Sequence, residues 1–193
     1  MSNIDLIKKS RELLAGNWLY AIAIVLIFSI LTGSPSNVDQ NLSILVLLIG
    51  GPLTLGLNIY FIHVVRSLNG GLEDLFDGFK KYAQSTVAFI LIMIVCAIGF
   101  VLLIIPGIML VCGLSQTFFI IADDTNKISG VDAMKKSWDM MEGYKMKFFL
   151  LNLIHFGMVL LGILMLVIGL FYMLPIIYAS LALFYDKLKK GEL

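Results

Sequence analysis

The sequence predicts an all-α polytopic membrane protein. Six transmembrane helices are expected, arranged as three parallel units of an amphipathic helix plus a helical hairpin. Three observations predict this. First, 60% of the residues are hydrophobic and 14% charged, with a mean hydropathy of +0.97, whereas about a quarter of the residues in a soluble domain are charged. Second, the 37 residues from 86 to 122 carry no charge and are broken once, at Ile105-Pro106-Gly107. A single crossing needs about 20 apolar residues at 1.5 Å rise each. That stretch therefore reads as two helices, 86–104 and 107–122, in a tight hairpin. Third, all 14 Lys and Arg residues fall in four segments: the N-terminus, 66–81, 127–147 and the C-terminus.

Residues 2–15 have the pattern of a short amphipathic helix. Ser2 and Asp5 form a capping box. Ile4, Ile7 and Leu14 share one face, and Lys8, Lys9, Arg11 and Glu12 cover the rest. No small-residue cleavage site follows the next apolar run, so that run is expected to remain as the first span, 17–31, with Trp18 and Tyr20 as interfacial anchors. A polar turn at 32–41 (Gly33, Ser34, Pro35, Ser36, Asn37, Asp39) leads to the second span, 42–65. Gly50, Gly51 and Pro52 are expected to kink that span or open its carbonyls, with Asn58 and His63 beyond the kink.

Residues 66–82 are polar. Leu72, Leu75, Phe76 and Phe79 fall on one helical face against Glu73, Asp74, Asp77 and Lys80. After the central hairpin and Asp123-Asp124, Ser129 and Asp132 form a second capping box. Val131, Met134, Trp138 and Met141 then recur at helical spacing among charged residues. The last pair of spans is 148–167 and 170–184, parted near Ile168-Gly169, with Pro175 inside the second. Leu75, Phe76, Phe79, Trp138 and Met141 are thus candidate cytoplasmic membrane-interface residues. Gly51, Pro52, Pro106, Gly107 and Pro175 are candidate helix breaks.

The pattern repeats over units of about 2–66, 69–124 and 129–188, within one integral membrane domain covering 1–193. Each unit has an amphipathic helix, a glycine with an aromatic or basic anchor, and a hairpin ending in aromatics then charge. Gly16 to Phe61, Gly78 to Phe119 and Gly143 to Phe184 span 45, 41 and 41 residues. All units point the same way, unlike the inverted repeats of many transporters. The turns opposite the basic segments contain no Lys or Arg, so the positive-inside rule puts both termini in the cytoplasm.

Chemistry-bearing residues are sparse. No Asp, Glu, Lys or Arg lies inside an expected span, which argues against proton-coupled or charged-substrate transport. Asn152 and His155 stand one turn apart in the fifth span and can hydrogen-bond across helices. Ser115, Gln116 and Thr117 either line a polar seam or bond backbone carbonyls. Asn58, Gln116, Asn152 and His155 are the candidate ligand-binding residues. The cytoplasmic acids, interspersed with lysines, read as solvated. Cys96 and Cys112 lack metal-ligand spacing, and no nucleophile elbow, zincin motif or phosphate loop occurs. No catalytic residue, metal or cofactor is expected.

Several motifs carry a family resemblance: Gly-Asn-Trp at 16–18, Gly-Gly-Pro-Leu-Thr-Leu-Gly-Leu at 50–57, Leu-Glu-Asp-Leu-Phe-Asp-Gly-Phe at 72–79 and Ile-Ile-Pro-Gly-Ile at 104–108. Ile-Ala-Asp-Asp at 121–124, Met-Met-Glu-Gly-Tyr-Lys at 140–145 and Ala-Leu-Phe-Tyr-Asp at 182–186 complete the set. Over nearly the whole chain the set resembles a domain-of-unknown-function family of small bacterial integral membrane proteins. A more distant similarity is to the membrane domain of glycerophosphodiester phosphodiesterase, whose catalytic domain has no counterpart here. At Ile-His-Phe-Gly-Met, 154–158, the chain departs from the Phe-Ile-Gly-Trp of the family, which marks His155 as its own. The resemblance implies a six-helix topology and a bacterial inner-membrane location, without catalytic residues.

The expected role is a non-enzymatic scaffold, accessory subunit or envelope-stress/immunity factor. The alternative is a carrier or flippase for lipid-like or neutral small molecules. The expected partners are membrane lipids, with another membrane protein or a lipid-like ligand as further candidates, and no nucleic acid.

Overall fold

Ser2 caps the first helix, α1 (Asn3–Leu13), in the reciprocal way its sequence predicts. Its hydroxyl accepts from the Asp5 amide and the Asp5 carboxylate accepts from the Ser2 amide, each at 3.1 Å. The computed structural model describes residues 1–33, 40–68, 70–165 and 168–193. The elements that follow are α2 (Trp18–Thr32), α3 (Gln40–Val65), α4 (Glu73–Asp77) and a 3-10 turn (Gly78–Lys81), then α5 (Tyr82–Leu102), α6 (Ile104–Leu114) and α7 (Thr117–Asp123). The chain ends with α8 (Gly130–Met140), α9 (Lys145–Leu164) and α10 (Ile168–Lys189). No strand occurs among the described residues. The polar turn expected at Ser34, Pro35, Ser36, Asn37 and Asp39 lies outside them, as does Val167 at the end of the fifth expected span.

Five stretches are long and apolar enough to cross a membrane: Leu48–Val65, Glu73–Val101, Ile104–Asp123, Lys145–Leu164 and Gly169–Lys189. A sixth arises when α1 and α2, bent by 106° at their junction, are taken together. That bend turns on Gly16, at φ +91°, and the matching turn from α8 into α9 uses Gly143 at φ +78°. Both occupy the left-handed conformation that ends a helix and that a side chain disfavours. Gly78, the third glycine of the series, has an ordinary helical φ of −57° and instead faces the Pro52 carbonyl.

The expected helix breaks are displaced. α3 runs unbroken through Gly51 and Pro52, because neighbours clamp it there: a methyl group on Gly51 would lie 2.7 Å from the Ser85 carbonyl oxygen. α10 likewise contains Pro175 within its length. Pro106 and Gly107 lie in the first turn and body of α6. Pro106 is tolerated because first-turn amides have no helical acceptor. The hairpin turns one step earlier, at Leu103, whose backbone is extended at φ −167° and ψ 150°. A break absent from the sequence reading separates α6 from α7 at Ser115-Gln116.

The short helices pack on the long ones. α4 lies on α3, α8 on α5, α6 and α7, and α1 on α10. The core runs through the second half of α3 (Leu53, Leu57, Phe61), α7 (Phe119, Ile121) and α10 (Ala179, Leu183, Phe184). Away from that core α5 and α9 expose Ile94, Ile98, Val101, Leu153, Phe156, Leu161 and Leu164. Such a surface is unusual in water and ordinary against hydrocarbon.

Candidate functional site

Three helix ends meet in a charged junction. Arg66 follows α3, Asp123 ends α7, and Asp186 stands on the last turns of α10. The Arg66 guanidinium donates from Nη1 to Asp123 Oδ1 at 2.6 Å, from Nη2 to Asp123 Oδ2 at 3.2 Å, and from Nε to Asp186 Oδ1 at 3.0 Å. This planar fork gripping one carboxylate and touching a second is geometry that lysine cannot reproduce. Lys190 Nζ donates to Asp186 Oδ2 at 2.6 Å, and Tyr185 Oη to Asp123 Oδ2 at 3.1 Å. Lys189 also pairs with Asp123. The hydrogen bond to Asp123 raises the Arg66 pKa above its ordinary range, against the opposing effect of partial burial. The side chains of Asp123 and Asp186 retain 12% and 8% of their exposure. They are therefore structural anions, and the reading of Asp123 as a solvated acid is corrected. Lys81 Nζ closes the end of α7, donating to the Ile121 carbonyl at 2.6 Å and to that of Asp124. A cavity of about 180 Å³ beside the junction is lined by Asp123, Asp124, Lys136, Tyr185 and Lys189.

A second polar joint ties α8 beneath the α6–α7 break. Ser137 Oγ donates to the Gly113 carbonyl at 2.7 Å and accepts from the Gln116 amide at 3.1 Å. It thereby satisfies two backbone groups that the break leaves without helical partners. Ser115 and Thr117 bond the carbonyls of Cys112 and Leu114, each at 2.7 Å. The Gln116 side chain donates to Ser115 Oγ at 2.8 Å. Ser137, fully buried, was missed in the sequence because serine on an amphipathic helix carries no signal of its own. Ser137→Ala is expected to cost about 1–3 kcal/mol, the range for orphaning buried polar groups. A thermal midpoint equal to that of the parent chain would refute this assignment.

The four candidate ligand residues are dispersed. Asn58 Nδ2 donates to its own helix at the Thr54 carbonyl, 2.8 Å, and Asn152 Nδ2 to the Phe148 carbonyl, 2.9 Å. His155 is buried and lies 2.7 Å through Nε2 from Ser180 Oγ on α10. Ser180 Oγ also lies 2.8 Å from the Ile177 carbonyl oxygen of its own helix. His155 thus joins α9 to α10, while Asn152 does not pair with it. Asn152 and Ser115 line an otherwise apolar cavity of about 300 Å³ between α5, α6, α7, α9 and α10. Asn58, Gln116 and His155 are not among its lining residues.

The interface candidates divide by burial. Leu75 and Met141 are fully buried, whereas Phe76, Phe79 and Trp138 are exposed. Leu75 wedges between α3 and α4. Asp74, expected on the solvated face of α4, is instead buried. It accepts from the Gly71 amide at 3.1 Å and lies 3.1 Å from His63 Nδ1. Among the described residues no group of three or more His, Cys, Asp or Glu is arranged to hold a metal ion.

Residues 87–192, more than half of the chain, match the family model DUF975, described as a protein of unknown function. The chain belongs to the DUF975 family. No curated protein and no solved structure matches it. The DUF975 region includes Asp123, Ser137, Trp138, Lys145, Asn152, His155 and Asp186. It stops short of Arg66 and of the α3–α4 joint, so the junction combines residues inside and outside the matched region.

Proposed function

We propose that this DUF975 chain is a non-enzymatic integral protein of the bacterial inner membrane, with both termini in the cytoplasm. It acts as a scaffold, accessory subunit or envelope-stress/immunity factor. The observation that carries this reading is that the short helices α4 and α8 and the Arg66–Asp123–Asp186 junction collect where α3, α7 and α10 end. A charged, internally satisfied belt of that kind is suited to hold a partner rather than to transform a substrate. The packing of α4 on α3, α8 on α5, α6 and α7, and α1 on α10 also favours three parallel repeated units closed into a ring. In that ring each short helix seats on the preceding unit, and the first seats on the last. The orientation rests on the positive-inside distribution of the 14 Lys and Arg residues, and the location on the family resemblance of the motifs.

A second reading, a carrier for lipid-like or neutral molecules, draws on the cavity that Asn152 lines. Native mass spectrometry of gently extracted protein separates the two. A bare chain, or one with a stoichiometric protein subunit, is the expected result. A stoichiometric small molecule lost in the Asn152→Ala/His155→Ala chain would replace the scaffold reading with the carrier. Phe76→Asp combined with Phe79→Asp, both at exposed positions, is expected to change stability by about 0.5 kcal/mol or less. The same double substitution is expected to release a subunit docked on the belt. Retention of that subunit would remove α4 from the docking face.

A further inference from the structure

Gly113 lacks a side chain where the indole of Trp138 lies; a Cβ there would overlap its six-membered ring. Seated against α6 in this way, Trp138 carries the Lys145 ammonium over its ring, 3.3 Å from the centroid. Lys145 makes no ion pair among the described residues. Lys145 also opens α9, whose first turn has no side-chain cap, so the helix end adds positive potential there. From this cation a groove of about 280 Å³ extends between α6 and α9. Its remaining lining is wholly apolar: Ile105, Ile108, Met109, Cys112, Met146 and Phe149. From Cys112 to Ile105 it follows α6 for roughly 10 Å, at the helical rise of 1.5 Å per residue.

We propose that this groove binds one anionic phospholipid, with its phosphate at Lys145 and part of one acyl chain along α6 toward Ile105. The charge complementarity selects the occupant. A single uncompensated cation beside an indole stands at one end of a slot that offers hydrocarbon contacts alone. Basic pockets between membrane helices take anionic headgroups for this reason. A zwitterionic lipid brings its own cation to its phosphate and gains less from Lys145. The two methionines can adjust to the chain they cover. The site is independent of the scaffold and carrier readings, since it shares no residue with the Asn152 cavity or the Arg66 junction.

The test uses the full chain with Trp18→Phe, which leaves Trp138 as the one tryptophan. It is reconstituted in mixed phosphatidylglycerol and phosphatidylcholine vesicles in which one lipid at a time carries brominated acyl chains. Quenching of Trp138 is expected to report an association with phosphatidylglycerol about fivefold stronger than with phosphatidylcholine, the factor one lysine supplies at an anionic surface. Lys145→Gln should bring the two lipids to parity, and Lys147→Gln should leave the preference in place. Raising the ionic strength of the chain with an intact groove should also erode the preference. Equal quenching by both lipids, a preference surviving Lys145→Gln, or one indifferent to salt would each overturn the proposal.

Discussion

Arg66→Met is expected to cost about 3–5 kcal/mol, the range for removing one partner of a buried ion pair. For a chain of this size that is a fall in thermal midpoint of roughly 6–20 °C. The loss comes from what remains. Asp123 and Asp186, with side chains only 12% and 8% exposed, face each other without the guanidinium that both accept from. Lys189 and Lys190 still reach them, but those lysines are half exposed and more screened. Because the cost is an uncompensated negative charge, adding Asp123→Asn and Asp186→Asn to Arg66→Met should recover at least half of it. Thermal unfolding in detergent measures both steps. If the single substitution left the midpoint within about 1 °C, the junction would be a surface ornament of the kind that contributes little.

Gly56→Ala should be still more damaging for the size of the change. The added methyl would coincide with the Leu75 carbonyl, which belongs to backbone and cannot rotate away. α4 must then lift from α3, taking the fully buried Leu75 out of the core. A loss of about 3 kcal/mol or more is expected, at or above the top of the usual overpacking range. Gly157→Ala provides the control: nothing lies within 4 Å of the new methyl and the site is inside α9. There the exchange should stabilise by about 0.4–1 kcal/mol. Equal effects of the two alanines on folded yield and unfolding midpoint would mean that α3 and α4 do not touch as described.

Much of the fold was legible. α1, α2, α8 and α9 begin within a few residues of where capping boxes, aromatic anchors and hydropathy put them. These are local signals, set by a few neighbouring residues and the helical period. The breaks were harder to read. Pro52 and Pro175 resemble interruptions, yet packing holds both helices through them. The true break at Ser115-Gln116 has no proline or glycine, and it persists because Ser137 of another helix satisfies the freed backbone. For the candidate site, the sequence singled out Asn152 and His155 as a pair. The structure sends one to its own helix and the other to Ser180.

By itself the sequence determined that this is a helical, membrane-suited chain with its positive charge in four clusters. Hydropathy, periodicity and net charge are properties of contiguous stretches, and each stretch carries them wherever it ends up. Only the tertiary structure decided which charges are structural. Arg66 meets Asp123 across 57 residues and Asp186 across 120. That meeting depends on how closely α3, α7 and α10 approach, which is governed by the core side chains between them, such as Phe61, Phe119 and Phe184. No local pattern encodes a contact whose two halves lie on different helices. An aspartate that reads as solvated beside its own neighbours becomes an anchor when a guanidinium from another hairpin arrives.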